Sequence, residues 1–453
     1  MQKHLSARLA MSRLGAYVLP ALPISALGLP LVVYLPPFYV EELALSNTVV
    51  GMIFLATRLG DAFFDVGFGV VSDRYDMRWG RRRTWMAISL PLLMVPIYLL
   101  FLPPEHVTPL YLVLTLSVAY IGYSFATISH MSWGTELTPD YHERSRIHGW
   151  REAALIFGMF TVLTLPAIYE FLAPGHPTGR DKIAAMGWYI LALLPLTFAI
   201  ALFFVPDHPA VRAKNPIAWR PAVMAIFKNA ALMRLLVVDV LVGLAPGVTG
   251  SLYVFLVSYA FDLPQWASLL LLVYFVAGVF GVPVWIWLSR KFGKHRTFTY
   301  AMIYATLGLP LIYLVPPGGF WFAFAANVVF GLAYGSGAFL LRSIMADVTD
   351  QDSVATGEER TGVFYALFSL TQKAGYAVAI GITYPLLDLF GFQAGTANTP
   401  EAIDGLRFIY VVLPSLFLLA SAALMWNFPL DEVRQSVLRA ELALARAARG
   451  RPD

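Results

Sequence analysis

Twelve apolar stretches follow one another along this chain, each of about 20 residues or more and so long enough to cross a hydrocarbon core of roughly 30 Å as a helix. They fall near residues 14–40, 45–72, 84–103, 109–134, 147–172, 182–206, 231–260, 265–289, 297–315, 320–347, 361–391 and 405–428. Of 453 residues, 58% are hydrophobic and only 13% charged, where a soluble globular chain is roughly a quarter charged. The fold class that follows is an all-α integral membrane protein with about twelve spans. Prolines 20, 23, 30, 36 and 37 make the first span irregular, which membrane helices tolerate where they line a cavity or pack on neighbours.

Lys and Arg collect on one set of loops. Arg74, Arg78, Arg81, Arg82 and Arg83 follow the second stretch, Arg144 and Arg146 the fourth, Arg212, Lys214 and Arg220 the sixth, and Arg290, Lys291, Lys294 and Arg296 the eighth. The opposite loops carry little beyond Arg180, Lys182 and Arg407. The positive-inside bias places the basic loops and both termini in the cytoplasm. It also accounts for the formal net charge of +4, so no nucleic-acid partner is implied. Met1 to Arg13 reads as a short basic lead, and the first stretch is expected to be retained as a signal anchor. The chain has no cysteine, which excludes disulfides, thiol catalysis and thiolate metal sites.

Between the sixth and seventh stretches the chain turns polar, from Pro206-Asp207-His208-Pro209 to Pro221, with a short interfacial helix expected near Trp219 to Lys228. The organisation read from this is a six-helix bundle over 1–206, a cytoplasmic linker over 207–230, a second bundle over 231–428 and a tail over 429–453. The tail, rich in Arg among Ala and Leu, reads either as an amphipathic helix against anionic lipid headgroups or as a solvated segment. The halves echo each other: Gly69 to Asp73-Arg74, then Gly80-Arg81-Arg82, is answered by Leu288-Ser289-Arg290-Lys291-Phe292-Gly293-Lys294. Related halves with a site between them at the bilayer midplane are what alternating access requires.

Charges inside the spans mark the chemistry. A charge at bilayer depth costs roughly 2.5–3.5 kcal/mol on insertion scales, and the second stretch carries Arg58, Asp61 and Asp65. Spacings of three and four place all three on one helical stripe. Two adjacent buried carboxylates repel, so a bound Na⁺ or H⁺ relieves them, and ion pairing with Arg58 is the purely structural alternative. Oxygen ligands suit a hard cation, and no other metal is expected. Lys373 in the eleventh stretch either snorkels or neutralises these acids until a cation replaces it. Asp239, Arg342 and Asp347, and Arg151 beside Glu152, are further charges in or near the membrane. Arg342 is read as a partner for an anionic substrate, and His130 as either a cavity wall or a packing residue. The loop charges Asp73, Arg74, Arg81, Arg82, Arg83, Arg290 and Lys291, with Arg144, Arg151 and Asp347, are expected to latch the basic face shut through charge-assisted hydrogen bonds. No HExxH, GxSxG or clustered histidines are present, which argues against an enzyme and implies no cofactor.

The glycine-acid-basic loop in both halves resembles the signature loop of the major facilitator superfamily. The string Arg58-x-x-Asp61-x-x-x-Asp65-x-Gly67, then Asp73-Arg74 and Arg78-x-Gly80-Arg81-Arg82, is similar to the glycoside-pentoside-hexuronide:cation symporters of the melibiose permease type. Glu136 to Tyr141 with Glu143-Arg144, Arg151, Ala346-Asp347 and Lys373-Ala374-Gly375 agree in the same order. The resemblance implies two pseudo-symmetric six-helix bundles, a site in a bacterial inner membrane, and a monomer that couples uptake of a small solute to Na⁺ or H⁺. By position it assigns Asp61 and Asp65 to the cation, adds Ser124 as a hydroxyl ligand, and makes Lys373 the facing lysine. Phe64 stands where melibiose permeases carry an asparagine that affects cation choice, which leaves Na⁺ and H⁺ both open. Ser25 and Thr127 stand where two acids hold the galactoside. A sugar or glycoside is therefore the family expectation. The altered acids and an apolar first span also admit an amphiphile such as a lysolipid, and a non-transporting receptor or scaffold is the remote reading.

Overall fold

The computed structural model describes residues 9–74, 79–138, 140–172, 178–207, 229–356, 361–430, 434, 435, 437, 438 and 441. The first span, α1, is broken into Met11–Val18, Ala21–Gly28, Pro30–Val33 and Leu35–Glu41. Its breaks fall at or beside Pro20, Pro30 and Pro36, which lack the N–H that a continuous ladder needs. Then follow α2 (Asn47–Arg74), α3 (Arg81–Phe101), α4 (Pro109–Glu136), α5 (Tyr141–Leu172) and α6 (Gly179–Phe204). The second half holds α7 (Ala230–Phe255, continued by Leu256–Ala260), α8 (Ala267–Phe292), α9 (Lys294–Gly308, continued by Leu309–Leu314), α10 (Phe320–Gly331 and Ser336–Thr356), α11 (Thr361–Leu389) and α12 (Pro400–Trp426).

Two helix starts lie upstream of the sequence expectation because polar caps extend them. Thr178 and Asp181 form a reciprocal capping box at α6, and the Thr399 hydroxyl accepts from the Ala402 N–H at 3.3 Å at α12. Among the described residues ten helical units are long and apolar enough to cross a membrane. The helices α2 and α11 are not among them, because they carry the charged and polar residues that meet between the bundles.

α1 to α6 pack together, as do α7 to α12, and the halves meet chiefly through α2 on α11, α5 on α8 and α1 on α7. Glycines let the backbones close: a Cβ on Gly51 would lie 2.7 Å from Tyr384, and one on Gly381 would lie 2.6 Å from Leu55. At the α2–α3 and α8–α9 turns the echoed sequences adopt the same device, with Gly80 at φ 99° and Gly293 at φ 82° opening the next helix. α10 unwinds at Leu332 to Gly335 against α8, where a Cβ on Gly281 would fall 2.1 Å from the Leu332 carbonyl.

The two faces differ in how they join the bundles. On the face away from the basic loops, Asn47 Nδ2 donates to Asp388 Oδ1 at 2.8 Å and the Thr48 N–H and hydroxyl donate to Asp388 Oδ2 at 3.0 and 2.5 Å, so Asp388 of α11 caps α2. Lys182 Nζ also reaches the Pro264 carbonyl there at 3.4 Å. On the basic face, the ion pairs among the described residues join helices of one bundle: Arg81 and Arg82 with Glu136, each at 2.7 Å, and Lys294 with Asp347 at 2.6 Å. Of the residues expected to latch the basic face, Arg81, Arg82 and Asp347 make these pairs within their own bundles. Asp73 and Arg74 lie on the last turn of α2, and nothing is described of their side chains. The linker from 208 to 228, with its expected interfacial helix, and most of the tail lie outside the described residues.

Candidate cation and substrate site

Midway along α2 and α11 four charges converge. Lys373 Nζ donates to Asp61 Oδ2 at 2.9 Å and also to Asp65 Oδ2, so one ammonium bridges both carboxylates. Ser124 Oγ from α4 donates to Asp61 Oδ1 at 2.5 Å. Arg58 Nη1 stands 3.9 Å from Asp61 Oδ2, and its guanidinium lies over the Tyr120 ring at 4.8 Å. Asp61 is only 3% exposed. Two cations and two anions make a neutral quartet, the arrangement that a low-dielectric interior tolerates. Sequence reasoning placed Asp61, Asp65, Ser124, Lys373 and Arg58 together, and the structure brings all five within one cluster.

The cluster has room for a ligand in its bonding pattern. Asp65 Oδ1 is buried without a hydrogen-bond partner, and so is the Thr127 hydroxyl one turn along α4 from Ser124. Orphaned acceptors of this kind cost roughly 1–3 kcal/mol each until something pairs with them. Carboxylate and hydroxyl oxygens around one point fit Na⁺, and either carboxylate fits H⁺. A cation entering while Lys373 stays would leave an excess positive charge in the membrane interior, so a cation bound here would compete with the ammonium for the same oxygens.

A ring cluster that was not read from the sequence fixes this geometry. Phe68, one turn past Asp65, stacks on Phe125 at 3.9 Å, and Trp85 of α3 meets both edge-on at 5.0 and 5.4 Å. The three rings lock α2, α3 and α4 beside the carboxylates and hold Ser124 where it reaches Asp61. The only sequence signal was adjacency, since Phe68 lies three residues past Asp65 and Phe125 follows Ser124.

The remaining site expectations distribute as follows. Ser25 Oγ donates to the Leu22 carbonyl at 3.1 Å and packs on α5 at Gly158. His130 is fully buried, with Nε2 2.7 Å from the Tyr17 carbonyl oxygen and Nδ1 accepting from Arg151 Nε at 3.4 Å, so it packs the first bundle instead of lining a cavity. Arg151 also pairs with Glu152 at 2.9 Å. Arg342 is exposed on α10, and its carbonyl accepts from the Tyr365 hydroxyl at 3.2 Å. Arg83 reaches the Val205 carbonyl, while Asp207 accepts from the N–H groups of Arg82 and Arg83, each at 3.1 Å. Arg144 Nε donates to the Thr138 carbonyl at 2.8 Å. Asp347 is buried and accepts from Lys294 and Gln435, and Arg290 and Lys291 are exposed at the end of α8.

Residues 16–432 match the family described as MFS/sugar transport protein. Among relatives, the chain is 24% identical over 406 residues to the glucuronide carrier protein homolog of Escherichia coli K12, covering 88% of each. It is 24% identical over 423 residues to the isoprimeverose transporter of Lactiplantibacillus pentosus, covering 89% of this chain and 86% of that one. Among solved structures it resembles the xylose transporter XylE of E. coli in its inward open conformation, with a TM-score of 0.66 at 15% identity over 95% and 99% of the two chains. The nucleoside transporter NupG gives a TM-score of 0.67 at 13% identity over 92% and 100%. The helical fold, the charged cluster between its halves and the match across both bundles agree: this chain belongs to the MFS/sugar transport protein family, whose members here are transporters and not enzymes.

Proposed function

We propose that this chain is a cation-coupled symporter of a sugar or glycoside, working by alternating access as a monomer in a bacterial inner membrane. The observation that carries the reading is Lys373 bridging Asp61 and Asp65 from the opposite bundle. In the empty carrier the lysine ties α11 to α2. A cation bound by Asp61, Asp65 and Ser124 takes its place, and the freed bundles rock around the site. The bundles correspond to 1–206 and 231–428, joined by the linker over 207–230 and followed by the tail over 429–453. With the basic loops and both termini in the cytoplasm, the joined face is the outer one, and this conformation faces inward.

Substrate would enter between the bundles near Thr127, whose orphaned hydroxyl supports a polar ligand, with Ser25 and Arg342 as further cavity residues and His130 behind them. Asp73, Arg74, Arg81, Arg82, Arg83, Arg144, Arg151, Asp347, Arg290 and Lys291 form the cytoplasmic gate, which meets across the bundles when the carrier faces outward. The relatives are named as glucuronide, isoprimeverose and raffinose carriers, which supports a glycoside over a lysolipid.

Purified chain in vesicles, given an inward Na⁺ or H⁺ gradient and radiolabelled glucuronide, isoprimeverose, raffinose or lysophosphatidylcholine, tests this. Uphill accumulation of a glycoside, lost in Asp61→Asn, is expected. Accumulation of the lysolipid alone, or uptake indifferent to both gradients, would overturn it.

A further inference from the structure

A second carboxylate lies at the same depth as the paired aspartates, in the other bundle. Asp239 sits nine residues into α7 from Ala230, and Asp65 sits nine residues from the basic-face end of α2 at Arg74. At 1.5 Å per residue each is roughly 14 Å in from that end. Asp239 is 1% exposed, against 3% for Asp61. Its Oδ2 accepts from the Thr371 hydroxyl of α11 at 2.7 Å, and among the described residues it forms no ion pair.

The packing around it leaves little room for water. α7 and α11 touch backbone to backbone one and two turns further on, where a Cβ on Gly243 would lie 3.0 Å from the Gln372 carbonyl and one on Gly247 would lie 2.5 Å from Ala379. A Cβ on Gly375 would in turn lie 2.6 Å from the Val240 carbonyl. The charged and titratable groups facing this seam are few. α11 offers Tyr376, with Lys373 turned toward α2, and α10 offers Arg342, which is exposed. The ionisable residues of α12 are Glu401, Asp404 and Arg407 in its first two turns, toward the outer end, and Tyr410.

Asp61 and Asp65 are answered by a lysine, and Asp239 by a neutral hydroxyl. An isolated carboxylate taken out of water pays several kcal/mol even after relaxation, so a buried acid with no cationic partner keeps its proton. We propose that Asp239 is a proton-binding site of the second bundle, protonated in this conformation and separate from the paired carboxylates. Thr371 and Lys373 are two residues apart on α11 and point about 200° apart. The helix therefore shows its lysine to the first bundle and its hydroxyl to Asp239. A shift of α11 when Lys373 is displaced alters the Thr371 hydrogen bond, which offers the proton a route to couple with the cation. That coupling rests on the symport reading, whereas the presence of the proton does not.

Infrared spectroscopy of the full chain in phospholipid vesicles, at neutral pH in KCl and without any solute, tests the site directly. The difference between wild type and Asp239→Asn is expected to show the carbonyl-stretch band of one protonated carboxylic acid. Thr371→Val, which keeps the acid but removes its hydrogen-bond donor, is expected to move that band to higher frequency. Asp61→Asn is expected to leave it in place, so failure of the cation-site reading cannot mimic failure here. No protonated-acid band in the Asp239→Asn difference, or no response to Thr371→Val, would overturn the proposal.

Discussion

α2 and α8 hold matching places in the two bundles, and they do opposite things. Each ends at a basic loop closed by a glycine of positive φ, Gly80 and Gly293. α2 carries Arg58, Asp61 and Asp65 in mid-membrane, while α8 carries no charge before Arg290. The repeated frame is therefore symmetric and the chemistry is not. One copy supplies the carboxylates, and the other bundle answers with a single lysine from α11. A site split in this way is made and broken by relative motion of the bundles, which two self-contained copies would not achieve.

The largest expected effect comes from removing the answer. Lys373→Met strands the buried Asp61 carboxylate and the half-buried Asp65 carboxylate and should cost about 3–5 kcal/mol of stability in cation-poor buffer. High Na⁺ or low pH should recover much of it, as read by heat unfolding. Next come the paired glycines. Gly80→Ala meets both an unfavourable φ and the Asp207 carboxylate, 2.2 Å from the added Cβ. It should cost about 2 kcal/mol, through backbone strain and the lost cap of Arg82 and Arg83. Gly293→Ala meets only the strain, with nothing within 4 Å, and should cost about 1 kcal/mol. Equal costs would break the distinction between the two turns.

The faces of the protein separate by pH. Glu41, at the end of α1 away from the basic loops, lies beside Tyr259 of the other bundle, whose hydroxyl accepts from the Gly395 N–H at 2.5 Å. Burial in this seam pushes the Glu41 carboxyl up to about 7, and nearby Glu42 adds to it against Lys182. Opening this face hydrates Glu41 and returns it to the ordinary carboxylate range. Protons therefore favour the sealed face: its advantage is complete below the ordinary range and is lost as pH rises through about 7. A cysteine placed at Asn47, which is buried against Asp388 and Phe392 in this cysteine-free chain, should be labelled faster at high pH, and Glu41→Gln should flatten that dependence. The smallest effect is expected at exposed Arg290 in α8, where Arg290→Gln should change stability by no more than about 0.5 kcal/mol.

What could be read from the sequence followed from cost. Apolar runs and charges at bilayer depth are expensive to place anywhere else, so twelve spans and the group Asp61, Asp65 and Lys373 were legible, as were the proline breaks of α1. The unwinding of α10 at Leu332 to Gly335 was not, because it depends on Gly281 of α8 closing on it. The caps at Thr178 and Thr399 moved two helix starts through local hydrogen bonds that hydropathy does not register. The Phe68, Trp85 and Phe125 rings and the Asp239 to Thr371 bond join segments far apart in the chain, and only the packed bundles bring them together.

The central claim is that a cation and the Lys373 ammonium compete for Asp61 and Asp65. Its most direct test is cation binding to the purified chain, followed by thermal stabilisation against NaCl at fixed pH and against pH in KCl, in wild type, Lys373→Ala and Asp61→Asn. Competition predicts that Lys373→Ala binds the coupling cation tenfold or more tightly, a gain of about 1.4 kcal/mol, and that Asp61→Asn loses the response. Unchanged or weaker binding of both Na⁺ and H⁺ in Lys373→Ala would contradict it.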